Sequence, residues 1–464
     1  MNLTLRATAE RVGSTRLAVV GSPSACGNRI CNDTRILQQG DIFVAFSGKR
    51  NGHSFVPEAL AKGAAFVIVS EWPLPVEIES EQGVLVVQDV DAAIVELARR
   101  HRADFDIPLI GVSGGVGKTT TKETVAALLA QRYGVAHVLK TPANWNDLRG
   151  ICLTLLGLRT HHRCAVIEIG MDRPGEVAQF TSIARQQIAV VTAVSATHLE
   201  YFPSMEELVA TERAMVETLP WNGIAILNSA DRLVRGMIPY APCPVMTFGP
   251  FQSDAVYARY VTSMGMQGLS FLVEHRGKML PVHTTLIGRH LVTSALAAIS
   301  VALAVGWSLE EAVESLADVV VPQRIRFMNG PRGSIVIDDT YNASPQSMLA
   351  ALNLMTDWPR EQGGKRIAFL GDMRELGPRS LREHVRLGRR AAARCSELWA
   401  TGEERETIAA GARAAGLDPV FVCGNPLEGA ERLARRLQAH DIVLVKASHA
   451  VGLERIIPIL AAGG

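Results

Sequence analysis

The chain has 464 residues, more than one hydrophobic core ordinarily supports, so about three domains are expected. Lys and Arg number 47 against 46 Asp and Glu, which leaves no global field to attract nucleic acid or an anionic membrane and points to small-molecule partners. With 48% hydrophobic and 20% charged residues and no low-complexity tract, the composition excludes disorder as the default state.

Seven cysteines (Cys26, Cys31, Cys152, Cys164, Cys243, Cys395 and Cys423) are odd in number and form no Cys-x-x-Cys pair. That spacing argues against a disulfide framework and a zinc ribbon, so free thiols in a reducing cytoplasm are expected. The first eight residues lack the basic-then-apolar pattern of a signal peptide, and the most apolar stretch, Ala295 to Trp307, is too short to span a bilayer. It reads as a buried helix, and no membrane insertion is expected.

In chain order, roughly a hundred residues come first, enough for a domain of their own. A short apolar run, Ile107 to Val112, then leads into a glycine-rich loop and a helix-spaced segment, Thr119 to Arg132, closed by Gly134. Ala165 to Ile169, Ile188 to Val194 and Gly223 to Leu227 read as further buried strands of the same sheet. A second series (Ser334 to Ile337, Arg366 to Leu370, Glu397 to Thr401, Val420 to Val422, Asp441 to Val445) places a third domain from about Val321-Pro322 onward. Alternating strand and helix signals throughout predict parallel α/β layers. The fold class expected is α/β in three domains, 1–104, 105–321 and 322–464.

The most specific chemistry lies in Ser113-Gly114-Gly115-Val116-Gly117-Lys118-Thr119-Thr120. Glycines let backbone N–H groups close around phosphate oxygens, and the helix N-terminus behind them adds positive potential. Lys118 is placed to reach the β and γ phosphates and Thr119 to put its hydroxyl on Mg²⁺. Glu168 ends a strand where such a sheet presents residues to its crevice; a carboxylate there suits Mg²⁺, although a lone strand-end glutamate can equally be a solvated cap. Asn228-Ser229-Ala230-Asp231 has the spacing of the guanine-reading motif of GTPases but lacks its lysine. His161-His162, flanked by Arg159 and Arg163, reads as surface charge.

The phosphate loop departs from the generic signature, which wants glycine where Val112 stands. Extended through Lys122 and Glu123, it resembles instead the form Gly-x-Ser/Thr-Gly-x-x-Gly-Lys-Thr-Thr-x-Lys-Glu seen in the Mur ligase family, and the resemblance runs along nearly the whole chain. It implies a small α/β N-terminal domain, a central P-loop ATPase-like parallel-sheet domain and a C-terminal Rossmann-like domain. Asn32-Asp33-Thr34-Arg35, with Gly40 to Ala45 and Asn51-Gly52-His53, looks like the family's UDP-binding domain. Thr34 and Arg35 are then candidate substrate contacts, Arg35 being alternatively a structural ion-pair partner. Asn144-Trp145-Asn146 resembles a segment that lies beside the sugar and the metal, which makes Asn144 and Asn146 substrate candidates. Glu168 matches a metal ligand, and His198 in Ser195-Ala196-Thr197-His198 matches a histidine on a second Mg²⁺. Gly288-Arg289-His290-Leu291-Val292-Thr293-Ser294 matches the adenine-side pattern Gly-x-His-Asn-x-x-Asn with both asparagines replaced, leaving His290 as the nucleotide candidate. Glu212 aligns with a lysine that relatives carbamylate to bind Mg²⁺; it is either a ready-made carboxylate or a surface helical residue beside Arg213.

In the third domain, Asp338-Asp339-Thr340-Tyr341-Asn342-Ala343-Ser344-Pro345 and Leu370-Gly371-Asp372-Met373-Arg374-Glu375-Leu376-Gly377 resemble the hallmarks of the family's D-alanyl-D-alanine-adding branch. The resemblance implies that Arg326 and Asp338 hold ATP and that Tyr341 and Asn342 lie near the nucleotide and the incoming amine. Lys446 would face the closed site, with a surface or interdomain role as its alternative. The implied activity is ATP-dependent amide ligation, with ATP and Mg²⁺, between a UDP-linked muramoyl peptide and a dipeptide amine, carried out by a monomer. A ligase of the same fold with another substrate and a non-catalytic nucleotide-binding protein are the competing readings; the presence of Lys118, Thr119, Glu168 and His198 disfavours the second.

Overall fold

Uninterrupted apolar runs become strands buried along their whole length, as Leu109–Ser113, Cys164–Glu168 and Ile188–Val191 do. Only a sheet covered on both faces allows that. The computed structural model describes residues 3–48, 50–74, 77–195, 199–321, 325–358 and 364–461. Besides a two-stranded ribbon near the N-terminus, sheets of five, nine and six strands lie within residues 16–87, 109–284 and 326–446. Pro322, at the expected start of the third domain, is outside the described residues.

The first sheet runs Arg16–Gly21, Gly83–Val87, Phe66–Val69, Asp41–Val44, Arg29–Cys31, with only the first pairing antiparallel. It does not have a core to itself. Leu85, Ile94 and Leu97 belong to the same apolar cluster as Leu109, Ile151, Leu155 and Ile167 of the next unit. The helix Val90–Ala103, capped by the Asp89 carboxylate on two backbone N–H groups, carries the chain between them. Near its end the buried Arg102 donates to the carbonyls of Ala184 at 3.1 Å and Phe105 at 2.5 Å. The first two sheets are thereby packed into one body.

The nine-stranded sheet is ordered Lys278–Thr284, Leu269–His275, Val256–Ser263, Val245–Gly249, Ile224–Asn228, Ile188–Val191, Leu109–Ser113, Cys164–Glu168, Val138–Lys140. The seven strands from Val256–Ser263 to Val138–Lys140 pair in parallel, and the expected strands all fall here. Two antiparallel pairings extend its far edge, which the parallel reading did not include. Their signal was local: Arg276 and Gly277 both take positive φ, +51 and +77, the conformation of a two-residue type I′ hairpin. Leu269, Phe271 and Val273 alternate inward along the strand before it.

The third sheet is ordered Arg326–Asn329, Ile335–Asp338, Ile442–Lys446, Arg366–Leu370, Glu397–Thr401, Val420–Cys423, parallel apart from its first edge strand. Asp338, Lys446 and Leu370 end adjacent strands. Of the segment read as a buried helix, Ala295 to Ala304 lies in the helix Val292–Ala304 while Val305 to Trp307 follow its end, and among the described residues no helix is long and apolar enough to cross a membrane. All seven cysteines are free. One expectation is corrected: His162 is not surface charge. Its ring is buried and accepts the Arg159 backbone N–H at 2.9 Å, and burial pushes its pKa down to about 4, so it is neutral near pH 7. His161 beside it is exposed.

Candidate active site

Between the strand Leu109–Ser113 and the helix Lys118–Tyr133 the chain turns through four residues, Gly114 to Gly117. Gly114 and Gly117 take φ of +132 and +87, which disfavour any side chain. The loop is also pressed onto the segment after the neighbouring strand: a Cβ on Gly114 would lie 2.3 Å from Thr192 Oγ1, and one on Gly115 would lie 2.3 Å from Ser195 Oγ. The Thr192 hydroxyl lies 2.7 Å from the Val116 carbonyl and 3.1 Å from that of Ser113, and Gly115 N–H donates to Ala193 O at 2.6 Å. The helix starts from Gly117, which has no side chain to cap it, and its N-terminus directs positive potential at the loop mouth. Lys118 folds over the loop mouth, its Nζ donating to Gly114 O at 2.5 Å. Asn228 donates to Thr192 O at 2.6 Å, a scaffold role in place of base reading.

Glu168 is 1% exposed, which removes its reading as a solvated cap. Its Oε1 accepts from the Thr119 hydroxyl and from Asn146 Nδ2, both at 2.9 Å, and its backbone N–H donates to Thr141 Oγ1. Its Oε2 is buried with no hydrogen-bond partner among the described residues. The Lys122 ammonium 3.7 Å away offsets part of its charge without donating a hydrogen bond, and a hard cation could take its free lone pairs. The orphaned oxygen beside the Thr119 hydroxyl therefore fits a magnesium ion. His198 lies outside the described residues.

The surface reading of Glu212 is corrected. On the helix Met205–Glu217 it is 1% exposed, and the Ser113 hydroxyl lies 2.8 Å from its Oε2. That contact places it at the base of the phosphate loop. Arg213 instead pairs with Glu217 at 2.7 Å and lies over the Tyr240 ring.

A cavity of about 1210 Å³ separates this loop from the third domain. Gly115 to Thr121, Asn144, Asn146, Glu168, His290 and Leu291 line it on one side, and Asp339, Tyr341, Asn342 and Lys446 on the other. Lys446 is 1% exposed, which overturns its surface alternative; its Nζ lies 2.7 Å from Asp339 Oδ2 and donates to Asn342 O at 2.6 Å. Arg326 and Asp338 are not among the lining residues. They sit opposite each other in the antiparallel edge pair, with Arg326 Nη2 2.5 Å from Asp338 Oδ2 while Thr340 fills Oδ1. Nor do Thr34 and Arg35 line the cavity. Thr34 is buried and accepts Lys62 Nζ on its carbonyl at 2.8 Å; Arg35 grips Asp33 at 2.6 Å and holds that carboxyl near a pKa of about 2.

Two features of this wall went unassigned from sequence. Asp339, one residue beyond the expected nucleotide contact, is the carboxylate that meets Lys446. Arg149 bonds Asp91 through two 2.6 Å contacts where the first two sheets meet the cavity. The doubled Asp338-Asp339 was a readable signal for the first; the second pairs residues 58 apart, beyond any local pattern.

The chain is similar to known proteins along nearly its whole length. A family model described as the Mur ligase middle domain matches residues 112–302, and one described as the Mur ligase glutamate ligase domain matches residues 323–449. UDP-N-acetylmuramoyl-tripeptide–D-alanyl-D-alanine ligase of Synechocystis is 34% identical over 94% of this chain and 92% of its own length. Its counterpart from Escherichia coli is 31% identical over 94% of each. The crystal structure of MurF from Acinetobacter baumannii superposes with a TM-score of 0.86 at 27% identity over 99% of both chains. That of Thermotoga maritima MurF in complex with ADP gives 0.80 at 27% identity, over 94% of this chain and 97% of the other.

Proposed function

The chain belongs to the Mur ligase family, and from that premise we propose that it uses ATP to join D-alanyl-D-alanine to a UDP-N-acetylmuramoyl tripeptide, a step of peptidoglycan precursor synthesis. One observation carries the reading at the site. A glycine-built phosphate loop and a buried carboxylate with an oxygen that lacks a hydrogen bond among the described residues share a cavity with a lysine and a carboxylate from the third domain. Nucleotide binding alone would not need that second wall.

A carboxylate resists attack by an amine because its oxygen is a poor leaving group. Transfer of the γ-phosphoryl of ATP to that oxygen yields an acyl phosphate and ADP; the dipeptide amine then adds to the carbonyl, expels phosphate and loses a proton. Lys118 neutralises charge on the transferring phosphoryl, and the loop N–H groups hold the phosphates. Thr119 and Glu168, with His198 as a further candidate, would hold Mg²⁺, whose charge would offset that of the phosphates. Asn144 and Asn146 are proposed contacts of the acid substrate, and Thr34 and Arg35 of its UDP tail. Tyr341, Asn342 and Lys446 are proposed around the amine, while Arg326 and Asp338 are assigned to ATP from the third domain. Closure of that domain over the cavity would exclude water, which would otherwise hydrolyse the acyl phosphate. A reducing, ATP-supplied cytoplasm suits both the reaction and seven free thiols.

Two outcomes follow from departures in this chain. Leu291 and Ser294 stand where the family pattern has asparagines, and Leu291 cannot hydrogen-bond a base edge. Discrimination between ATP and GTP in kcat/KM is therefore expected to stay within roughly tenfold, the value of one or two lost hydrogen bonds. A strong ATP preference would locate base reading elsewhere in the cavity. Glu212 brings a carboxylate without modification, so activity is expected to be indifferent to removal of bicarbonate. Glu212→Gln should raise the Mg²⁺ concentration for half-maximal rate; an unchanged requirement would end the functional assignment of this residue.

A second reading, ligation of an acid outside cell-wall synthesis, draws on those same departures. ADP release measured against a panel of UDP-muramoyl peptides and dipeptides separates the two. Release that requires UDP-muramoyl tripeptide and D-alanyl-D-alanine together is the expected result. Release with an unrelated acid, and none with these, would transfer the assignment to the second reading.

A further inference from the structure

Lys122 is a wholly buried cation that the chemistry above does not use. It lies one turn beyond Lys118 on the helix Lys118–Tyr133. Its ammonium has three N–H groups. Three oxygens lie within hydrogen-bond distance: Thr141 O at 2.8 Å, Ala143 O at 2.6 Å and Glu123 Oε1 at 2.8 Å. Glu168 Oε2 stands farther off at 3.7 Å. The donors are thus committed to the turn at 141–143 and to Glu123, and Glu168 Oε2 receives a compensating charge without a hydrogen bond.

The turn held in this way is a strained one. Ala143 has φ +44, in the left-handed region that costs an alanine free energy and a glycine almost none. Its carbonyl makes the shorter of the two carbonyl bonds to Lys122. Immediately beyond it, Asn144 faces the cavity, and Asn146 donates to Glu168 Oε1 at 2.9 Å while its own carbonyl accepts Gly170 N–H at 3.0 Å. Without the ammonium, two carbonyls would lose a buried donor, and the turn would have reason to relax to negative φ, carrying both asparagines away.

We propose that Lys122 is a positioning residue for the acid substrate: it fixes the left-handed turn at Ala143 so that Asn144 and Asn146 present their amides to the cavity, and it leaves Glu168 Oε2 uncommitted. This rests on the assignment of the two asparagines to the acid substrate.

The test uses calorimetry on the full chain without turnover. UDP-muramoyl tripeptide is titrated with a non-hydrolysable ATP analogue present, and ADP is titrated separately. Lys122→Met is expected to weaken binding of the tripeptide by roughly tenfold or more and of ADP by less than about threefold. Adding Ala143→Gly should restore at least about threefold of the loss, since glycine adopts the turn unaided. Parallel loss of both ligands with no rescue would overturn the proposal, because a merely structural lysine behaves that way. Should Lys122→Met fail to fold, Ala143→Val keeps the ammonium and penalises the turn through a β-branched side chain. The same split is required of it, and its absence overturns the proposal. Wild-type protein that does not bind the tripeptide overturns the ligase reading together with this inference, whereas wild-type binding without the split overturns this inference alone.

Discussion

Lys118→Ala is expected to lower ADP release by at least ~10³-fold, the scale on which a fixed positive charge acts on a transferring phosphoryl group. The side chain is only partly buried, and among the described residues its Nζ spans the loop to donate to Gly114 O. Removing a partly buried side chain takes that donor from the Gly114 carbonyl but leaves no charge buried, so thermal stability should change by about 1 kcal/mol or less. The loop itself is shaped by Gly114, Gly117 and the Thr192 hydroxyl, none of which depends on the lysine. Steady-state ADP release together with a thermal unfolding midpoint measures both halves. Retained turnover would remove the phosphate-loop assignment, and a large fall in the midpoint would make the loss of activity uninformative.

Glu168→Gln is the second large effect expected, about 10²–10³-fold in kcat/KM. The substitution preserves shape and leaves an oxygen for the Thr119 hydroxyl and Asn146 Nδ2, but it removes the charge and can put an NH₂ group where the orphaned Oε2 now lies. That group would point its hydrogens toward the Lys122 ammonium 3.7 Å away and toward any bound cation. Manganese titrations of the ADP-bound protein followed by electron paramagnetic resonance should therefore show weaker metal binding independently of turnover. Unchanged manganese affinity would mean that Glu168 is not a ligand.

The parts of this site that could be read in the sequence are those made by neighbours along the chain. Strand, glycine loop and helix from Leu109 to Tyr133 follow one another directly, and Glu168 ends a strand whose apolar run announces it. Burial of Glu212 was not readable, because its contact with Ser113 joins positions 99 residues apart on a helix whose own pattern is amphipathic. Lys446 is similar: its partners Asp339 and Asn342 come from the other side of the third sheet's connectivity, over 100 residues earlier. The continuous core joining Leu85 and Ile94 to Leu109 and Ile167 was hidden as well, since hydrophobic periodicity marks which faces are buried but not against what. His162 was misread because a pair of histidines between arginines resembles solvated charge until the backbone N–H of Arg159 folds onto one ring.

In the proposed reaction this cavity activates a carboxylate by phosphorylating it. The most direct measurement is to supply UDP-muramoyl tripeptide whose terminal carboxylate carries oxygen-18, with ATP and D-alanyl-D-alanine, and to analyse the phosphate released by mass spectrometry. One labelled oxygen per released phosphate, matched by one labelled oxygen retained in the new amide, is the predicted result. Ligated product formed alongside wholly unlabelled phosphate would contradict it.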